Sequence, residues 1–352
     1  IIFSFLAIFL VVAAGFFLGY PLELIVLFFV YSMTLLTSSI TGLFNGFFQA
    51  KLLNKYVIFS ELITSIAFFL LLLILIFLKQ SLFFIIAAFL FSTIIALLTS
   101  FYFVRKFLKI TLLPKKKNLT RFFAEGYPFA LTQILSGLYY RIDVVIISKL
   151  LNNYALGLYS AAFRLTESLT IIQGAFVQPL FPIMSSLFKN SSKNLEVSYN
   201  LGLRYMVYLV LPIAIGGAML AQKIIFIVYG AEFADPSVYL SFIILLWGAL
   251  VMLVNQISIT TLNSSLNEKK VVKIYFIGLF ANVLLNFFLV PVFGIVGAAL
   301  STLIAEIILF LFLYFLLKKE LHIDFSWIVK VVVACIIMAF FANLIIGQNT
   351  IL

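Results

Sequence analysis

Long apolar runs separated by short polar connections fill the chain. A bilayer-crossing helix needs about 20 mostly apolar residues. Runs of that kind cover approximately residues 1–19, 22–48, 55–78, 82–106, 120–148, 153–187, 198–228, 236–262, 270–289, 293–317 and 326–346. This pattern predicts an all-α polytopic membrane protein with about eleven transmembrane helices in the given chain. Runs of 30 or more residues exceed the bilayer thickness and are expected to protrude or tilt.

The connections fall into two alternating sets. The first carries Lys51 and Lys55; Arg105, Lys106, Lys109, Lys115, Lys116, Lys117 and Arg121; Lys189, Lys193 and Arg204; Lys269, Lys270 and Lys273; and Lys318, Lys319 and Lys330. The second carries only Lys79, Lys149 and Lys223. Basic residues mark cytoplasmic connections, so the first set is expected inside and the multi-pass protein in the inner, cytoplasmic membrane. One miscounted span would break the alternation, so the same pattern checks the span count.

Composition agrees with this picture. Hydrophobic residues make up 65% of 352 positions and charged residues 10%, against roughly 25% charged in a soluble domain. The net charge of +11 sits in short clusters between apolar runs rather than along an aromatic-interleaved groove, which argues against nucleic acid as a partner. One cysteine, Cys335, and one histidine, His322, leave neither a disulfide framework nor a His-built metal centre. No Gly-x-x-x-x-Gly-Lys-[Ser/Thr] loop occurs. No cofactor and no metal are expected.

The longest basic connection, Arg105 to Arg121 with Pro114-Lys115-Lys116-Lys117-Asn118, reads as a linker between two helical bundles. A weak repeat supports two bundles: Lys51-x-x-x-Lys55 opens the third span and Lys269-x-x-x-Lys273 the ninth. Each is followed by two apolar spans and a basic end. The expected organisation is a partial N-terminal lobe at 1–108, a basic cytoplasmic linker at 109–118, a six-helix C-terminal lobe at 119–317, and the start of an extra helix pair at 318–352. The chain opens on Ile1-Ile2-Phe3; two helices are expected to precede it and one to follow it.

Several segments resemble a known family. They are Arg141-Ile-Asp143 followed by Leu156-Gly157-Leu158-Tyr159-Ser160, Gln178-Pro179-Leu-Phe-Pro182, Tyr229-Gly230-Ala-Glu232-Phe233, Asn267-Glu268-Lys269-Lys270, Asn282-Val-Leu-Leu-Asn286, and Pro291-Val-Phe-Gly294-Ile-Val-Gly297-Ala298-Ala299. Together these resemble the polysaccharide-transporter branch, of O-antigen repeat-unit (Wzx) type, of the multidrug/oligosaccharidyl-lipid/polysaccharide (MATE-like) exporter superfamily. The resemblance covers roughly 120–317, and 1–118 fits the latter part of a first lobe. It implies a fourteen-helix flippase, not an enzyme. Such a flippase moves undecaprenyl-diphosphate-linked oligosaccharides to the outer leaflet by alternating access of two six-helix lobes. Its partners would be the bilayer, the lipid-linked oligosaccharide and other polysaccharide-assembly proteins.

Charges inside the bilayer need a reason, because each costs about 2.5–3.5 kcal/mol to insert at the centre. The candidates are Arg141, Asp143, Arg164, Glu167 and Glu306, with Glu61 nearer the cytoplasmic edge. Ser160, Arg164, Glu167, Gly174 and Gln178 recur at helical spacing along the sixth span, with Ile171 interrupting, and Gln133, Gly137 and Arg141 do so along the fifth. Asp143 lies about 200° around the helix from Arg141, so the two cannot face one cavity together. Arg141 and Arg164 can attract a lipid diphosphate, since forked guanidinium donors match phosphate oxygens. Equally, Asp143 with Arg164, or Glu167 with Arg164 at i, i+3, can form a buried ion pair. Glu306 is a candidate coupling carboxylate or a neutral interhelical group. Asn255 and Gln256 either line the cavity or tie helices together.

Two rival functions share this architecture: a cation or drug antiporter of the same superfamily, and a flippase of the peptidoglycan lipid precursor. A membrane polymerase or ligase would need a larger outer loop than Tyr229–Pro236 offers.

Overall fold

The computed structural model describes residues 2–51, 53–107, 116–190, 192–265 and 267–348, and the side chains of 2, 49–50, 54, 116–125, 128–129, 178, 189–190, 192, 268 and 344–348 lie outside that description. Among the described residues there are fifteen α-helices and no strand. A lipid interior offers no partner to free backbone groups, and helices satisfy them within one segment. The chain divides into two compact units, Ile1–Lys115 and Lys116–Leu352. Residues 109–115 of the expected linker lie outside the described residues, while Lys116 to Asn118 open a long helix.

Among the described residues, eight helices are long and apolar enough to cross a membrane, and a ninth span results if Asn153–Val177 and Pro179–Phe188, bent by 41°, count as one. Two shorter apolar helical stretches, Phe3–Phe17 and Ile328–Asn343, occupy the first and last expected spans. The two runs read as overlong do not continue straight. The first breaks after Glu167, and the other breaks at Leu220. Breaks in the helix therefore divide both runs.

The N-terminal unit comprises α1 (Ile2–Phe17), α2 (Leu22–Ser32), α3 (Thr34–Ala50), α4 (Asn54–Phe77) and α5 (Leu82–Val104). Burial of apolar surface gives little drive where the solvent is itself apolar, so hydroxyl contacts between helices become informative. Ser60 on α4 meets Thr99 at 2.8 Å and Ser100 at 3.0 Å on α5. Thr37 on α3 donates to Thr93 on α5 at 2.8 Å. Phe77, 88% exposed, typifies the outward surface. At one end of the unit, Tyr56 lies 5.0 Å from Phe103, and Lys106 stands 4.5 Å over Tyr102. The basic termini of α4 and α5 therefore share one end.

The C-terminal unit comprises α6 (Lys116–Leu150), α7 (Asn153–Glu167), a single turn α8 (Thr170–Ile172), a π-helical turn (Gln173–Val177), α9 (Gln178–Asn190), α10 (Ser192–Met219), α11 (Ala221–Tyr229), α12 (Pro236–Ser264), α13 (Glu268–Phe293), α14 (Ile295–Leu317) and α15 (Ile328–Gln348). α12 is the axis of this unit: half of its apolar window is buried, and it packs on α7, α9, α10 and α14. Asp235 caps it, accepting from Ser237 N at 2.7 Å with Pro236 at the first helical position. α13 packs on α6 and α14.

The segment between α14 and α15 is strapped to one face of α10. Glu196, Asn200 and Arg204 recur every four residues and so share that face. Glu196 accepts from His322 N at 3.0 Å; Asn200 donates to His322 O at 2.8 Å and accepts from Asp324 N at 2.9 Å; Arg204 pairs with Asp324 at 3.4 Å. Trp327 closes the strap, donating through Nε1 to Asp324 O at 2.7 Å. The Ser326 hydroxyl and backbone N–H, with Arg204 adding to them, hold the Asp324 carboxyl below its ordinary 3.8. A carboxyl depressed on docking contributes its share above 3.8 and loses it as pH falls through the docked value. Docking should therefore persist from pH 8 to pH 5 and loosen only below about pH 3.8. Fluorescence of Trp327 in a Trp247→Phe background reads this, and a transition near neutrality traced to Asp324 would contradict it.

Candidate functional site

The charged candidates converge in the C-terminal unit. On α6, Gly137, Tyr140 and Arg141 follow helical spacing and share one face. On α7, Phe163, Thr166 and Glu167 do the same, and the turn after it adds Thr170 and Gln173. With Leu245, Gly248, Ala249 and Met252 of α12, and Thr302 and Glu306 of α14, they enclose a cavity of about 330 Å³. A second cavity of about 400 Å³ adjoins it, sharing Gly137, Tyr140 and Gln173, and takes in Gln133, Gln256 and Tyr275.

Glu167 stands between the two arginines. Its Oε1 accepts from Arg141 Nη2, and its Oε2 from Arg164 Nη1 at 3.2 Å. One carboxylate thus serves two guanidinium groups, and the triad carries a net charge of one positive. The arginine side chains are 55% and 74% exposed, against 25% for Glu167. Arg141 also lies 5.7 Å over the Phe163 ring. A guanidinium presents five N–H donors, so donors remain on both for an oxyanion. Of the two ion pairs the sequence offered, Glu167 with Arg164 at i, i+3 is present, though not buried, and among the described residues Asp143 with Arg164 is not; Arg141 joins the pair from α6.

Asp143 is placed differently. It is 3% exposed, lines neither cavity, and faces α7, α13 and α14. It accepts from Tyr159 Oη at 2.8 Å, Thr302 Oγ1 at 2.7 Å and Asn286 Nδ2 at 3.2 Å. The 200° offset from Arg141 is the reason: the next helix faces, not the cavity, receive it. Asn255 is also turned into a helix contact, its Nδ2 donating to the Glu306 carboxyl at 2.8 Å and the Glu306 backbone carbonyl at 3.0 Å. Glu306 nevertheless borders the first cavity, and Gln133 the second. Gln178 opens α9, and its side chain lies outside the described residues.

The stripe read from Ser160 to Gln178 does not run along one face. Glu167 ends α7, and a π-helical turn at Gln173–Val177 resets the phase before α9. Sequence spacing also passed over Tyr140, Gln173 and Tyr275. Tyr139-Tyr140 directly before Arg141 was the available signal, whereas the turn that aims Gln173 inward has no marker in the sequence.

The model of the family described as polysaccharide biosynthesis protein matches residues 1–188. A probable low-salt glycan biosynthesis flippase, Agl15 of Haloferax volcanii, is 28% identical over 192 residues, 54% of this chain and 40% of its own. Among solved structures, a lipid II flippase, MurJ, in an inward closed conformation aligns with TM-score 0.78 at 18% identity over 96% of this chain and 75% of its own. An inward-facing multidrug resistance MATE transporter of the MOP superfamily aligns with TM-score 0.70 at 14% identity, over 91% and 80%. At these identities the structures speak for the fold. The chain spans between 31% and 50% of the length of the first curated relatives it matches. With more than half its residues under the family model, this multi-pass α-helical membrane protein belongs to the polysaccharide biosynthesis protein family.

Proposed function

We propose that the protein containing this chain is a flippase. It would move diphosphate-linked oligosaccharide repeat units, on an undecaprenyl carrier, from the cytoplasmic to the outer leaflet of the inner membrane by alternating access. The observation that carries this reading is the Arg141–Glu167–Arg164 triad, of which Arg141 and Glu167 line a 330 Å³ cavity and Arg164, outside its lining, pairs with Glu167. Two half-satisfied guanidiniums suit a diphosphate, which can take donors from both while Glu167 stays paired to one. The reaction is transport, and no bond of the substrate is broken. Glu306, bordering the same cavity, is the residue we assign to coupling. The basic ends of the helices hold the protein at the anionic cytoplasmic leaflet and concentrate the lipid there.

The buried carboxyls of Asp143 and Glu306 favour a second reading, a cation or drug antiporter. The fold shared with a lipid II flippase favours a third, a peptidoglycan-precursor flippase. All three separate in one liposome experiment on the full-length protein. Wild type is expected to flip a fluorescent undecaprenyl-diphosphate oligosaccharide. Arg141→Ala or Arg164→Ala should slow this roughly tenfold or more at matched abundance, the loss expected of a hydrogen-bonded charge contact. Proton-driven efflux of a cationic dye without lipid flipping would promote the antiporter. Preference for a peptide-bearing precursor would promote the third reading.

A further inference from the structure

The second cavity differs in chemistry from the first. Its described lining holds no Lys, Arg, His, Asp or Glu; amides and hydroxyls dominate, with Gln133, Gln173, Gln256, Thr260 and Asn263 among them, beside Tyr140 and Tyr275. Its volume of about 400 Å³ falls within the range of small-molecule sites, roughly 300–1,000 Å³. Gln256 Nε2 donates to Tyr140 Oη at 2.8 Å and to Tyr275 Oη at 3.2 Å, which fixes both phenols in the wall. Among the described residues, the side chains of Gln133, Gln173, Thr260 and Asn263 make no hydrogen bond to protein, and all retain some exposure. A polar wall with unspent donors and acceptors needs water or a ligand to satisfy it.

We infer that this pocket, bounded by Gln133, Gln173, Gln256, Thr260, Asn263 and Tyr275, is a subsite for uncharged glycan. The inference rests on the flippase reading and specifies its substrate. A neutral pyranose offers a rim of hydroxyls, which both donate and accept as primary amides do, and an apolar C–H face that can lie on a phenol ring. A carboxylated sugar would bring an anion into a wall without a cation to pair it, and uncompensated charge is costly to bury. Gln133 lies eight residues from Arg141 on α6, about 12 Å along the helix. The diphosphate and its first sugars can then occupy adjoining subsites on one helix face.

The test measures binding of three probes to the full-length protein in nanodiscs: bare undecaprenyl diphosphate, the same lipid bearing a neutral trisaccharide, and one bearing a uronic-acid trisaccharide. The Gln133→Leu/Asn263→Leu variant should bind the neutral glycolipid roughly tenfold more weakly and the bare lipid within about twofold of wild type. Thr260→Val, nearly isosteric, should shift the glycolipid in the same direction if the double variant fails to fold. Wild type should bind the uronic-acid lipid roughly tenfold more weakly than the neutral one. Equal losses for bare and glycosylated lipid, no loss for either, or equal affinity for both glycans would overturn the subsite and leave the flippase reading standing. Failure of wild type to bind any of the three would remove that reading, and the subsite with it.

Discussion

Asp143→Ala should be among the most damaging single changes in the chain, although Asp143 borders no cavity. Its carboxyl accepts from three side chains on three other helices: Tyr159 on α7, Asn286 on α13 and Thr302 on α14. Removal orphans the buried Tyr159 hydroxyl, at about 1–3 kcal/mol, and costs Asn286 and Thr302 one bond each, although Asn286 still donates to Asn282 and Thr302 to Ala298 O. Interhelical hydrogen bonds in membranes measure lower, about 0.6 on average and about 1.7 at most. A loss of about 2–4 kcal/mol is therefore expected. The readouts are the thermal midpoint in detergent and the yield of monodisperse protein.

Asp143→Asn separates hydrogen bonding from charge. The new amide keeps one acceptor for Tyr159 and Thr302 but turns an N–H₂ toward Asn286. Among the described residues, Asn286 Oδ1 and Asn282 Nδ2 have no partner, so paired amide flips can convert that clash into a hydrogen bond. Asp143→Asn should then lie within about 1 kcal/mol of wild type. If Asp143→Ala proves as stable as Asp143→Asn, the four-helix tie is not what holds these helices together. A folded Asp143→Asn protein that no longer transports would assign the carboxyl itself to the transport cycle.

How much of this was legible beforehand depends on the type of signal. Membrane helices were, because a lipid environment leaves little choice for an apolar run of 20 residues. The triad was legible in part: Arg164 and Glu167 are local, and i, i+3 spacing decides their contact without tertiary information. Arg141 reaching Glu167 needed the antiparallel placement of α6 and α7, which the short turn at Leu151–Asn152 suggested but could not phase. Asp143 was separable from Arg141 by helix geometry, yet its three partners are up to 159 residues away, and spacing carries no such information. The π-helical turn at Gln173–Val177 was invisible. It depends on one extra residue per turn being accommodated by packing, and it moved Gln173 onto the cavity and broke the expected stripe.

Gly297 is the other position where one methyl group should have a large effect. α13 ends at Phe293 with Pro291 inside its last turn, and Gly294, at φ 60°, reverses the chain into α14. That reversal lays the start of α14 on the end of α13 so closely that a Cβ on Gly297 would stand 2.2 Å from Leu289 O and 2.9 Å from Val290 N. Both are backbone atoms, so no rotamer can give way; the helices must move apart or the turn must distort. Overpacking of this kind costs about 1–3 kcal/mol and occasionally more. It outweighs the roughly 1 kcal/mol by which Ala is the better helix former. The damage extends because Ser301 and Thr302, one turn on, sit in the same packed face, and Thr302 holds Asp143. Gly297→Ala should lower stability by about 1–2 kcal/mol net, and Gly297→Leu should leave little folded protein. Gly157→Ala is the control, since a Cβ there meets nothing within 4 Å and should be neutral or slightly stabilising. Equal thermal midpoints for Gly297→Ala and Gly157→Ala would mean that α13 and α14 do not approach this closely in the folded protein.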